Sequence, residues 1–148
     1  MSIDELYREV ILDHFENPRN KGALDPHDML EHGYNPLCGD KIDIYLNIDD
    51  AGVVSGISFD GSGCSISQAS VSMLTEVVEG KPVQEVEDLI GQFKGMMLED
   101  EPNPFEDDED LEELGALEGV KNYPVRIKCA LLGWTTLAEA LKKFHESR

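Results

Sequence analysis

Between Lys41 and Ile48 the chain alternates strictly. Ile42, Ile44, Leu46 and Ile48 are apolar, and Lys41, Asp43, Tyr45 and Asn47 are polar. A period of two marks a half-buried strand, so a strand is predicted at about 41–48. The stretch DDAG at 49–52 reads as a hairpin turn, and VVSGISF at 53–59 as the returning strand. Elsewhere the period lengthens to that of a helix. Ile3, Leu6, Tyr7, Val10, Ile11 and Phe15 form one stripe, which predicts a helix over 2–16. Ser2 and Glu5 have the spacing of a capping box, and Asn17-Pro18 ends the helix. Further helical stripes predict helices from Ser65 to Glu79, over 83–97, and from Pro124 to about Glu146. The last of these carries Ile127, Leu131, Trp134, Ala138 and Leu141 on one face. Residues 19–37 show no period and read as irregular. Strands first and helices after suggest an α+β fold, a small antiparallel sheet packed against helices.

The chain has 148 residues, enough for one domain with a real core, and 41% of them are hydrophobic. No apolar run is long enough to span a membrane. The acidic, amphipathic N-terminus is unlike a signal peptide, so a cytoplasmic location is expected. The net charge of −19 repels nucleic acid and anionic membrane and suits a basic protein partner. Eleven of the acids fall in residues 99–118, with no Lys or Arg among them. That segment reads as a solvated acidic insertion or short acidic helix. His14 falls on the first helical stripe and reads as a packing or capping residue. His27 and His32 fall in the irregular segment with no partner spacing.

Three cysteines are too few and too scattered for a disulfide framework. Their neighbourhoods set them apart from packing residues. Cys38 sits with Asp40 on a turn punctuated by Gly33, Asn35, Pro36 and Gly39. Cys64 ends the glycine-rich stretch DGSGC and directly precedes a helix, whose free N–H groups favour a thiolate. No Gly-Lys-Ser/Thr follows, so that stretch is not a phosphate loop. Cys129 lies more than about 100° from the centre of its helix's apolar stripe, on a face shared with Arg126 and Gly133. Three thiolates and the Asp40 carboxylate make four anionic ligands, a set that suits tetrahedral zinc. Thiolates select zinc or iron–sulfur chemistry over magnesium or calcium. Arg126, Lys128 and Lys41 adjoin the ligands in sequence and can offset their negative charge.

Four segments together resemble the U-type iron–sulfur cluster assembly family. They are LYREVILDHFENPRNKG, NPLCGD, GSGCSISQAS and VRIKCALLGW, in family order, and the likeness covers nearly the whole chain. Scaffolds of that family carry a His before the third cysteine; here the position is Lys128. With the acidic insertion, that departure resembles the zinc-dependent, Suf-type (SufU-like) branch. The resemblance implies one domain over 1–148, an α+β fold and a metal site at one end. It implies Zn2+ on Cys38, Asp40, Cys64 and Cys129, with Cys38 accepting sulfur from a SufS-type cysteine desulfurase. Arg126 and Lys128 then support the site, and a downstream iron–sulfur scaffold or apo acceptor takes the sulfur. A closed four-ligand zinc site is ordinarily unreactive, so transfer requires one thiolate to leave. Two other readings stay open: a scaffold that assembles a 2Fe–2S cluster from iron on the same ligands, and a structural zinc module.

Overall fold

In the computed structural model, residues 3–99, 102–105 and 111–147 are described, with side chains in the first helix from Arg8 onward. Helix α1 (Ile3–Glu16) leads into strands β1 (Met29–Asn35), β2 (Asp40–Ile48) and β3 (Val54–Ser62). Helices α2 (Ser65–Val78), α3 (Val83–Leu98) and α4 (Glu112–Ala116) follow. Two 3-10 turns, Leu117–Asn122 and Pro124–Arg126, then feed helix α5 (Ile127–Glu146). The sheet is antiparallel throughout, in the order β1-β2-β3. The architecture is α+β, as the order of patterns along the chain suggests.

The alternation in β2 resolves as expected: Ile42, Ile44 and Leu46 are fully buried. α2 and α5 pack against the sheet and each other, and α3 packs on α5. Phe93 of α3 stacks on Trp134 of α5, ring centroids 4.2 Å apart. The indole N–H donates to Ser70 Oγ at 3.0 Å, and that hydroxyl donates to the carbonyl of Ala130 at 2.6 Å. A large aromatic can be fully buried because its one polar atom is bonded. α2 and α5 approach so closely that a Cβ on Gly133 would sit 2.9 Å from Val71.

Two expectations are corrected. Residues 19–37 are not irregular throughout. Met29–Asn35 is a strand, and the backbone of Asn20 and Gly22 bonds along Phe59 of β3. β1 hides from pattern reading because its exposed side carries Leu30 and Tyr34, while Glu31, Gly33 and Asn35 face inward. Gly33 is there because Thr136 and Leu132 of α5 occupy the space a Cβ would need. The 99–118 segment does hold a short acidic helix, α4, with Glu112 and Glu113 in its first turn, but it is not merely solvated. Phe105, Leu114 and Leu117 are fully buried in the core, while residues 100–101 and 106–110 lie outside the described residues. The Ser2–Glu5 capping box also lies outside them.

His14 is a hydrogen-bonded core residue, as its place on the α1 stripe suggests. It is fully buried, with Nδ1 2.9 Å from Ser72 Oγ and Nε2 2.6 Å from Glu113 Oε2. It thereby ties α4 to α1 and α2.

The burial of Phe105 gives a direct test. Phe105→Ala removes a core aromatic and should cost about 3–5 kcal/mol, read as a lower urea midpoint of the protein as purified. A solvated insertion would tolerate the change to within about 0.5 kcal/mol.

Candidate metal centre

An antiparallel sheet brings the end of β1, the start of β2 and the end of β3 to one edge. Each carries a site residue or leads into one. Residues 36–39 form the β1–β2 hairpin loop, which Asn35 and Asp40 close as register partners. Cys38 sits on that loop, half-buried. Asp40 opens β2 with no solvent exposure. β3 ends at Ser62, and Cys64 is the N-cap of α2. Cys129 is in the first turn of α5.

Tertiary structure gathers three of the four expected ligands tightly. Ligand atoms of Cys38, Asp40 and Cys129 lie within 4.8 Å of one another, and the Cys129 thiol donates to Cys38 Sγ at 3.1 Å. Cys64 flanks this group rather than joining it at that distance, yet its thiol is near enough to perturb Cys129. Asp40 is held at both oxygens: Oδ1 accepts the Cys64 N–H at 2.8 Å, and Oδ2 accepts Asn35 Nδ2–H at 3.3 Å. Gly63 makes the first bond possible. It has φ +155°, and a Cβ there would collide with the Asp40 side chain. Cys64 Sγ accepts the Ser67 N–H at 3.5 Å, the bond of a capping side chain.

The supporting cations separate. Arg126 Nη1 donates to Cys38 Sγ at 3.6 Å. Lys128 points elsewhere, lining an exposed groove with Tyr34, Leu37, Leu98 and Leu131. Among the described residues it makes no hydrogen bond or ion pair with a ligand atom. Cys129 corrects a second point. The face it shares with Gly133 is not off the core: Gly133 packs on Val71 of α2, and Asn35 and Cys38 cover the thiol, so Cys129 is fully buried. Burial pushes the Cys129 thiol up, and hydrogen bonding with Cys38 and Asp40 adds to the shift. Sequence reading took Asn35 only as a turn residue. Its contact with Asp40 follows from the hairpin register and its contact with Cys129 from the packing of α5 on β1, a strand the pattern conceals.

A family model for the NifU-like N-terminal domain matches residues 6–130. The chain belongs to the NifU-like N-terminal domain family. Similar relatives carry different functional names. The zinc-dependent sulfurtransferase SufU of Bacillus subtilis is 41% identical over 142 residues, 96% of this chain and 93% of that one. The iron–sulfur cluster assembly scaffold protein IscU of Thermotoga maritima is 41% identical over 138 residues, 93% and 94% of the two chains. The crystal structure of FiSufU from Fervidobacterium islandicum superposes with a TM-score of 0.83 at 34% identity, covering 93% of this chain and 97% of that one. The N-terminal part of a NifU-like protein from Brucella abortus gives 0.87 at 26% identity, covering 99% and 100%.

A second group of candidate ligands, His14, Glu76 and Glu113, also lies within 4.8 Å. Arg19 Nε stands 3.5 Å from Glu76, so ion pairing accounts for this cluster.

The raised Cys129 thiol sets an order of reactivity. In metal-free protein near pH 8, iodoacetamide should label Cys38 and Cys64 before Cys129, read by peptide mass spectrometry. Equal labelling would contradict the burial. The sign of the linked stability follows. A thiol harder to ionise folded than unfolded favours the fold below the ordinary thiol range, near about 8.5. That contribution fades as pH rises above this range, so the melting temperature of the metal-free protein should fall in alkaline buffer.

Proposed function

We propose that this protein is a zinc-dependent sulfur acceptor of iron–sulfur cluster assembly, loaded at Cys38 by a SufS-type cysteine desulfurase. One observation carries the reading. Of the grouped ligand residues Cys38, Asp40 and Cys129, only Cys38 has solvent exposure, and it sits on a hairpin loop. The family and the B. subtilis relative's name support it.

The donor set fits zinc. Two sulfurs and a carboxylate group together with Cys64 beside them, and N–H donors reach the carboxylate and all three sulfurs. Cys38, Asp40, Cys64 and Cys129 would hold the ion. When bound, zinc keeps the thiols ionised near neutral pH.

The chain's own residues then divide the work. Asp40, Cys64 and Cys129 stay on rigid elements. Cys38 Sγ, as the nucleophile, attacks the outer sulfur of the desulfurase persulfide. A sulfur–sulfur bond forms at Cys38, the donor's sulfur–sulfur bond breaks, and the donor cysteine leaves as a thiolate. No net oxidation occurs, because one persulfide replaces another. Arg126 lies against Cys38 Sγ and offsets its negative charge. A downstream scaffold or apo acceptor receives the sulfur. The net charge of −19 favours a basic docking surface on the partner and disfavours nucleic acid. No helix among the described residues is long and apolar enough to cross a membrane.

The T. maritima relative keeps a second reading in play, a scaffold that builds a 2Fe–2S cluster on the same residues. Three measurements decide. Freshly purified protein should be colourless and hold one zinc per chain by elemental analysis. Cys38→Ser should abolish persulfide transfer from the desulfurase, read as loss of the added sulfur atom by mass spectrometry. Wild-type protein that takes up no sulfur would leave a structural zinc module. Asp40→Ala with desulfurase, cysteine and ferrous iron should stay colourless and take up sulfur slowly. A stable brown product that passes its cluster to an apo acceptor would establish the scaffold instead.

A further inference from the structure

The candidate ligands are not equally supported. Asp40 is held at both oxygens, one by the α2 N-terminal backbone and one by Asn35. Cys64 is held by the Ser67 N–H. Cys129 receives Asn35 Nδ2–H at 3.6 Å. Among the described residues, Cys38 receives only the Cys129 thiol and the tip of the exposed Arg126 side chain.

Asn35 is the residue that creates this asymmetry. It is 6% exposed, ends β1 and faces Asp40 across the hairpin. Its Oδ1 accepts the Leu37 N–H at 3.3 Å. That contact fixes the orientation of the amide. A backbone N–H can only donate, so the oxygen turns toward Leu37 and the NH2 toward the ligands. Both of its other neighbours, the Asp40 carboxylate and Cys129 Sγ, accept hydrogen bonds when ionised. One side chain thus fastens two stationary ligands and pins the loop at Leu37, the residue before Cys38.

We propose that Asn35 is the positioning residue that makes Cys38 the departing ligand. Resting on the sulfur-acceptor reading above, this assigns the choice of nucleophile to a side chain that is not itself a ligand. With Leu37 pinned, movement of Cys38 is confined to the tip of the loop, and Asp40 and Cys129 do not follow it. Without Asn35, the buried Oδ2 of Asp40 loses its donor, and an unsatisfied buried anion shifts or rotates. The stationary pair then loosens together with Cys38.

The experiment compares wild type with Asn35→Asp, which keeps size but has no NH2, and with Asn35→Ser, which keeps an acceptor for Leu37 N–H but cannot reach the ligands. Zinc release to excess 4-(2-pyridylazo)resorcinol is timed, and cobalt-substituted protein is examined by visible absorption. Persulfide uptake is measured against desulfurase concentration. Both variants should retain zinc when purified yet release it about 10- to 100-fold faster, the usual cost of losing a hydrogen-bonding partner behind a metal ligand. Their cobalt bands should shift, and persulfide kcat should fall with KM for the desulfurase unchanged. If Asn35→Asp fails to fold, Asn35→Ser carries the same readouts. A lower melting temperature with unchanged cobalt bands and zinc release would make Asn35 merely structural and overturn the inference alone. Wild-type protein that holds no zinc would overturn the sulfur-acceptor reading and the inference with it.

Discussion

A carboxylate with no access to water must find its hydrogen bonds inside the protein. Asp40 finds two, and they come from different parts of the chain. The Cys64 N–H joins the start of β2 to the N-terminus of α2, and Asn35 joins it back across the hairpin to β1. Bonding at Asp40 therefore fixes where two of the three thiols stand. Gly63 is the condition for this contact, since any side chain at that position would occupy the carboxylate's place. The geometry of the working end rests on a short, buried, polar junction more than on the apolar core beneath it.

The third thiol is placed by packing. α5 lies against α2 at Gly133 and against β1 at Gly33, and both contacts need the absence of a Cβ. That fit fixes the height and rotation of α5, and so the depth of Cys129. The interior of α2 is unusually polar: Ser67, Ser70, Ser72 and Thr75 are all buried and bonded. Ser70 bonds to α5, Ser72 to His14 of α1, and Thr75 to Asn20 and Arg19, so directional bonds set register where interchangeable methyl groups would let helices slide. A metal site assembled from a strand, a hairpin loop and two helix N-termini needs that register to hold.

The same construction separates rigidity from mobility. Asp40 opens β2, Cys64 caps α2 and Cys129 lies in the first turn of α5, whereas Cys38 sits on the hairpin loop. A structural metal site gains nothing from such a division. The sulfur-acceptor reading proposed above needs it, because there a thiolate must leave its neighbours to react while the remaining groups keep their places.

The sequence by itself determined β2, β3 and the long helices, because each buries one face and so repeats at period two or 3.6. It also singled out the candidate site residues, three of which the fold brings together. Cys38, Asp40, Cys64 and Cys129 stand at turns and helix starts, positions that local pattern marks well. Tertiary structure decided the rest. β1 was illegible because its inner side carries Glu31, Gly33 and Asn35, residues chosen for Lys143, Thr136 and the ligands they meet. Phe105 looked solvated amid acids because the core it fills comes from other parts of the chain. Cys129 looked set off its helix's apolar stripe, yet its face is buried, because α2 meets it at Gly133 and β1 meets it at Thr136. Periodicity reports the average environment of a helix or strand face. A contact between residues 35 and 129 has no period, so it exists only once the chain has folded.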